Sequence, residues 1–271
     1  MVSIEYCNSY CRDYYRFTTS RFYRMSKKLV LSISGGMDSV VLLHMAVDRG
    51  FEEIHLITYN YGQRHIREID CVQDQIDAAA SNSATIITHY VADVGFIKHL
   101  APTSSLTNTD IDNPDISKMA GDAQPVSYVP FRNQLFNTIG CAYAEAKGAD
   151  TVWYGAAEVD SLAGYWDGSK EFVSAMNALV ALNRESRITI EAPLLTMSKE
   201  AIVEEGVRLG VDFGKTWTCY SNREDGLADA TTPSSSMRVK GFIDAGYQDP
   251  VQYVQQSKLN EVYMAKGCKK I

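Results

Sequence analysis

The hydrophobic positions of this chain fall into short runs, not long stripes. Lys28-Leu29-Val30-Leu31-Ser32-Ile33 is an apolar, β-favouring run with the length of a buried strand, followed at once by glycines and then by a helical pattern. Ile54-His55-Leu56-Ile57-Thr58-Tyr59 repeats the strand pattern, and Val40, Val41, Leu42, Met45 and Ala46 between the two suit a helix. A third round follows, with 66–80 as helix and 84–90 as strand. Repeated strand, helix and strand predict an α/β fold: a doubly wound, mainly parallel sheet of about five strands, with ligands beyond the strands' carboxyl ends.

Farther along, 136–147 reads as a helix, 151–154 as a strand, and 199–209 as a helix ended by Gly210. Residues 101–128 are polar and long for a passive connection, and read as an active-site loop or lid. The breaker-rich stretch 221–236 reads as an exposed loop, beyond which a C-terminal helical region is expected. Tyr6, Tyr10, Tyr14, Phe17 and Phe22 recur at near-helical spacing, so residues 1–26 form an aromatic helical extension, either docked on the domain or binding a partner. Residues 27–271 then make one domain.

Composition narrows the function classes. Of 271 residues, 45% are hydrophobic and 22% charged, which is ordinary globular usage and excludes a disordered, collagenous or coiled-coil chain. No apolar run approaches the roughly 18 residues of a membrane span. Lys and Arg number 26 against 33 Asp and Glu, a net charge of −7. That balance favours small-molecule chemistry over nucleic-acid binding. Six scattered cysteines indicate a reducing compartment, and Arg12, Arg16, Arg21 and Arg24 among aromatics do not make an export signal, so a cytoplasmic location is expected.

Candidate chemistry begins where the first strand meets the first helix. In Ser34-Gly35-Gly36-Met37-Asp38-Ser39 the backbone amides and the helix dipole favour an anion, the glycines permit close approach, and the serines can donate to phosphate. Asp38 is placed to hold magnesium or to fix the loop. The segment is neither a Walker loop nor a dinucleotide fingerprint. A plain glycine turn is the competing reading.

Further segments add to it: Tyr59-Asn60-Tyr61-Gly62-Gln63-Arg64-His65, Val129-Pro130-Phe131-Arg132-Asn133 and Thr216-Trp217-Thr218-Cys219-Tyr220, with Ser105-Leu106-Thr107, Tyr165-Trp166-Asp167 and Glu171-Phe172. As a set, with the S-G-G-x-D-S loop, they resemble the QueC (7-cyano-7-deazaguanine synthase) family of PP-loop ATP pyrophosphatases, over about residues 28–253. The family's Y-G-Q-R-H, V-P-x-R-N and T-W-S-C-Y stand here almost letter for letter.

The resemblance implies an enzyme, a C–N ligase that uses ATP and magnesium to adenylate the carboxylate of 7-carboxy-7-deazaguanine and passes it to a nitrogen nucleophile. It implies a homodimer acting on a small molecule, without nucleic acid or membrane. Ser34, Gly35, Gly36, Asp38, Ser39, Gln63, Arg64 and His65 would bind ATP, and Asp38, Arg132 and Lys199 would be catalytic. Arg132 offers a planar fork to an anion, and Lys199 would neutralise the departing pyrophosphate. Tyr61, Asn133 and the carboxylates Asp160 and Asp167 would hold the base. Tyr165, Phe172 and Trp217 are candidate stacking surfaces, with ordinary core packing the competing reading for Phe172 and Trp217.

The chain also departs from the family. A structural zinc there is held by four cysteines, whereas the matching positions here are Cys219, Asp229, Thr232 and Ser235, so zinc is expected to be absent. Gly168-Ser169 stands where the family commonly has Cys-Arg. The altered loop and the N-terminal segment suggest an antiphage-defence paralogue, of the kind associated with CBASS, that joins the deazaguanine to a protein amine. The competing functions are a PP-loop tRNA-modifying enzyme and a non-catalytic nucleotide-binding subunit.

Overall fold

The computed structural model describes residues 27–63, 67–81, 83–108, 110–111, 126–157, 165–185, 187–219, 223 and 225–271. The expected N-terminal helix, most of the expected lid, and Arg64, His65 and Asp160 lie outside the described residues.

Five strands, β1 (Lys28–Ser32), β2 (Glu53–Asn60), β3 (Ile86–Asp93), β4 (Thr151–Trp153) and β5 (Thr189–Glu191), form one sheet in the order β3-β2-β1-β4-β5. Every pairing is parallel. The chain winds outward from β1 to β3 and then returns to the other side of β1. The switch between β1 and β4 opens a crevice at the carboxyl ends, where doubly wound sheets hold ligands.

The apolar runs explain the layers. Alternate residues point to opposite faces, so Leu29 and Leu31 join one core while Val30 joins another. The first core is closed by α1 (Met37–Asp48), α2 (Arg67–Ser81) and α6 (Lys199–Arg208). The second is covered by α4 (Arg132–Lys147) and α5 (Lys170–Val180), with the short α3 (Ile97–Leu100) at its margin. A third, smaller core joins Trp217 and Cys219 to α7 (Pro233–Asp244) and α8 (Gln256–Lys266), the expected C-terminal helical region.

Three stretches depart from the sequence reading by more than one residue. β3 runs 86–93, not 84–90, because it is an edge strand whose exposed residues weaken the apolar signal. α4 begins at Arg132 instead of 136, directly after Phe131 in the left-handed region. The stretch 221–236 is not simply an exposed loop: Pro233 opens α7, a position where its missing N–H costs nothing, and Ser235 is buried.

Candidate active site

β1 delivers its loop to the carboxyl edge of the sheet. Gly35 holds a positive φ of 87°, open to glycine at little cost. Inside the loop, Ser34 Oγ accepts from the Gly36 N–H (3.2 Å), and Ser39 Oγ accepts from the Ser34 N–H (3.2 Å) while donating to the Gly36 carbonyl (3.0 Å). Both serines therefore shape the turn as well as line it.

Asp38 and Lys199 meet across this loop. Ser198 caps α6 by accepting from the Ala201 N–H, which sets Lys199 as the first residue of the helix. Its Nζ donates to Asp38 Oδ2 at 2.7 Å, with both side chains largely buried. Asp38 Oδ1 is also buried and has no hydrogen-bond partner among the described residues. A shielded carboxylate oxygen beside a phosphate-shaped loop fits a magnesium ion shared with nucleotide phosphates, because magnesium is usually held by one or two carboxylates plus substrate oxygens.

The loop is fixed from behind by the C-terminal region. The Trp217 N–H donates to the Gly35 carbonyl at 3.1 Å, and the Met37 N–H donates to Thr218 Oγ1 at 3.4 Å. Arg238 donates to the same Thr218 oxygen (3.3 Å) and to Thr216 Oγ1 (2.7 Å). Its remaining fork grips Asp249 through Nε (2.8 Å) and Nη2 (3.0 Å), wholly buried. Charge-assisted bidentate geometry of this kind is stiff. Sequence reading missed Arg238 as a support because its contacts span the chain.

A second cluster lies on the same edge. Arg132, at the start of α4, donates to Tyr61 Oη at 3.3 Å, and its guanidinium lies 5.7 Å from the Tyr61 ring centre. Asp167 sits in a short 3-10 turn, 2% exposed, with Oδ1 buried and without a hydrogen-bond partner among the described residues. Burial pushes its carboxyl above the ordinary range, while Arg132 pulls it back. Tyr165 shares a 2.6 Å hydrogen bond with Ser127. Asn133 follows Arg132 on the first turn of α4.

Three other expected site residues have local partners. Gln63, expected to reach phosphate, accepts from the Tyr61 N–H (2.9 Å) and donates to the Tyr59 carbonyl (3.3 Å), closing its own turn. Trp217, expected as a stacking surface, is 7% exposed inside the C-terminal core. Phe172 is likewise buried at 6% and meets Trp166 and Tyr154 edge-on. Both rings pack among core residues.

The four positions that match the zinc ligands do come together. Cys219 Sγ accepts from the Asp229 N–H at 3.2 Å and lies 3.8 Å from Thr232 Oγ1, which donates to Ser235 Oγ at 2.9 Å. The Asp229 carboxylate is engaged by Thr231 and Gln255. One thiol, two hydroxyls and an occupied carboxylate do not fit tetrahedral zinc, which takes thiolate and imidazole.

The sheet and its loop define the class, a PP-loop nucleotide-binding α/β protein. Within it, the family model described as "Queuosine biosynthesis protein QueC" matches residues 28–246, and the chain belongs to the QueC family. The 7-cyano-7-deazaguanine synthase of Marinobacter nauticus is 38% identical over 229 residues, 84% of this chain and 98% of the relative. That of Clostridium kluyveri is 34% identical over 233 residues, 84% and 98% of the two chains. Among solved structures, the NMN synthetase of Francisella tularensis aligns with 92% of this chain and 80% of its own at 15% identity and a TM-score of 0.43. No helix among the described residues is long and apolar enough to cross a membrane.

Proposed function

We propose that the chain adenylates the carboxylate of 7-carboxy-7-deazaguanine with ATP and transfers the acyl group to a nitrogen nucleophile. A carboxylate oxygen attacks the α-phosphorus of ATP and pyrophosphate leaves; the nitrogen then attacks the acyl carbon, AMP leaves and an amide forms. Carried further, a second ATP would activate the amide oxygen for loss to the nitrile. The observation that carries this reading is the Lys199–Asp38 contact of 2.7 Å beside the glycine loop, in a chain of the QueC family.

In this reading the glycine loop from Gly35 to Ser39, at the N-terminus of α1, cradles phosphates, and Lys199 offsets the charge that gathers on pyrophosphate as it departs. Asp38 Oδ1 would hold magnesium, which supplies positive charge to the phosphates. Arg132 orients the substrate carboxylate, Asn133 and Tyr61 line its approach, and Asp167 accepts from the guanine-like N–H edge. Arg64, His65 and Asp160 belong to the same proposal on sequence grounds. The acceptor is ammonia or a protein amine, and the working unit is a homodimer.

The test is to incubate the purified chain with ATP, magnesium, ammonium and 7-carboxy-7-deazaguanine and follow products by mass spectrometry. Nitrile accumulation identifies a complete synthase. AMP with acyl adenylate or amide and no nitrile identifies a ligase that stops after one transfer, and a protein amine then becomes the acceptor to supply. Absence of both AMP and pyrophosphate overturns the reading.

A further inference from the structure

Phe131 is the one described non-glycine residue with a positive φ, at 55°, and its ring is 60% exposed. A bulky side chain in the left-handed region is strained, and an exposed ring forgoes burial, so neither feature is explained by folding. Beside it stands Trp166, 41% exposed, with ring centres 5.7 Å apart and planes at 72°. One phenol holds both: Tyr128 Oη accepts from the Phe131 N–H (3.2 Å) and from Trp166 Nε1–H (3.1 Å). Phe172 supports Trp166 edge-on at 5.5 Å.

The next residue along each segment is the polar one. Phe131 precedes Arg132 and Trp166 precedes Asp167, whose buried Oδ1 has no hydrogen-bond partner among the described residues. The two segments that carry the rings thus also carry, next in sequence, a cation and an acceptor-rich carboxylate that interact with each other, a combination that suits a flat heterocycle carrying N–H donors and an anionic substituent.

We propose that Phe131 and Trp166 form an aromatic lip that stacks on the base of the substrate beside Arg132 and Asp167, making Phe131 a specificity-determining residue for that base. The inference rests on the proposed deazaguanine substrate and adds Phe131 and Trp166 to the residues that would hold it. Tyr128 fixes the lip, and the strain at Phe131 is the cost of aiming its ring.

The experiment compares wild type, Phe131→Gly and Phe131→Tyr by KM for 7-carboxy-7-deazaguanine, KM for ATP, and thermal midpoint. Glycine removes the ring but suits the positive φ, so folding and binding separate. Stacking on a base is strong enough that Phe131→Gly should raise KM for the base about tenfold, with KM for ATP changed less than about twofold and the midpoint unchanged or higher. Phe131→Tyr should stay within about threefold of wild type, since it keeps the ring. An unchanged base KM in Phe131→Gly, or a parallel rise in KM for ATP, overturns the lip. Failure of wild type itself to turn over 7-carboxy-7-deazaguanine removes the functional reading, and the lip with it.

Discussion

Lys199 Nζ lies 2.7 Å from Asp38 Oδ2, joining residues 161 positions apart at the mouth of the glycine loop. The pair places one positive charge where a departing pyrophosphate needs it and leaves Asp38 Oδ1 for a cation. Lys199→Ala is expected to lower kcat about 10²–10³-fold, the range for losing one preorganised charge partner, with KM for ATP altered far less. Asp38→Asn should raise the magnesium concentration needed for half-maximal rate. Steady-state AMP formation against magnesium measures both, and a Lys199→Ala enzyme with wild-type kcat would remove Lys199 from the chemistry.

Lys199 also depends on a close helix approach. A Cβ on Gly241 would lie 2.9 Å from Lys199 Cβ and 3.1 Å from its carbonyl carbon and oxygen, so α7 reaches the start of α6 only because that side chain is missing. Gly241→Ala is expected to destabilise the fold by about 1–3 kcal/mol through overpacking. It should also lower kcat, because the backbone that must yield carries Lys199. Urea denaturation and kinetics test the two effects. A loss of stability with kcat untouched would mean that α7 yields alone.

The cluster at Cys219 predicts a metal-independent C-terminal region. Its hydrogen bonds run from the Asp229 N–H to Cys219 Sγ and from Thr232 Oγ1 to Ser235 Oγ, within the core that holds Trp217 against the Gly35 carbonyl. Prolonged EDTA treatment should leave the thermal midpoint unchanged, whereas a zinc-held region would lose much of its folding energy. Elemental analysis of the purified protein should give zinc well below one atom per chain. Stoichiometric zinc would contradict the donor-set argument.

How much of this was legible in the sequence follows from where each signal is local. β1 and β2 announce themselves because strands buried on both faces are continuous apolar runs, and the glycine loop sits at a strand–helix junction that fixes its place. Asp38 and Lys199 were each named by the family pattern, but their pairing is a property of the fold, because no local rule joins a loop to a helix so far along the chain. Trp217 and Phe172 mark the limit of motif reading: an aromatic in a motif looks the same whether it faces a ligand or the core. Arg238 was invisible, since its value lies in spanning Thr216, Thr218 and Asp249 at once. Phe131 was quoted only as a motif letter, and the positive φ that singles it out is a property of the fold.

Asp167 offers the clearest opposition between stability and function. Burial raises its folded pKa above the unfolded value, so the native state holds the proton more tightly than the unfolded chain does. Stability from this group is fully present below the unfolded carboxylate pKa and is lost as pH rises through the higher folded value. Asp167→Asn keeps the shape without the ionisation. Its thermal midpoint relative to wild type should therefore climb as pH rises from below the unfolded carboxylate pKa through the higher folded value. The same change replaces one acceptor oxygen with an N–H donor, which should weaken binding of the deazaguanine base about tenfold or more. Parallel midpoint curves for the two proteins would show that Asp167 ionises in the fold without penalty, and undiminished base affinity would remove it from the recognition edge.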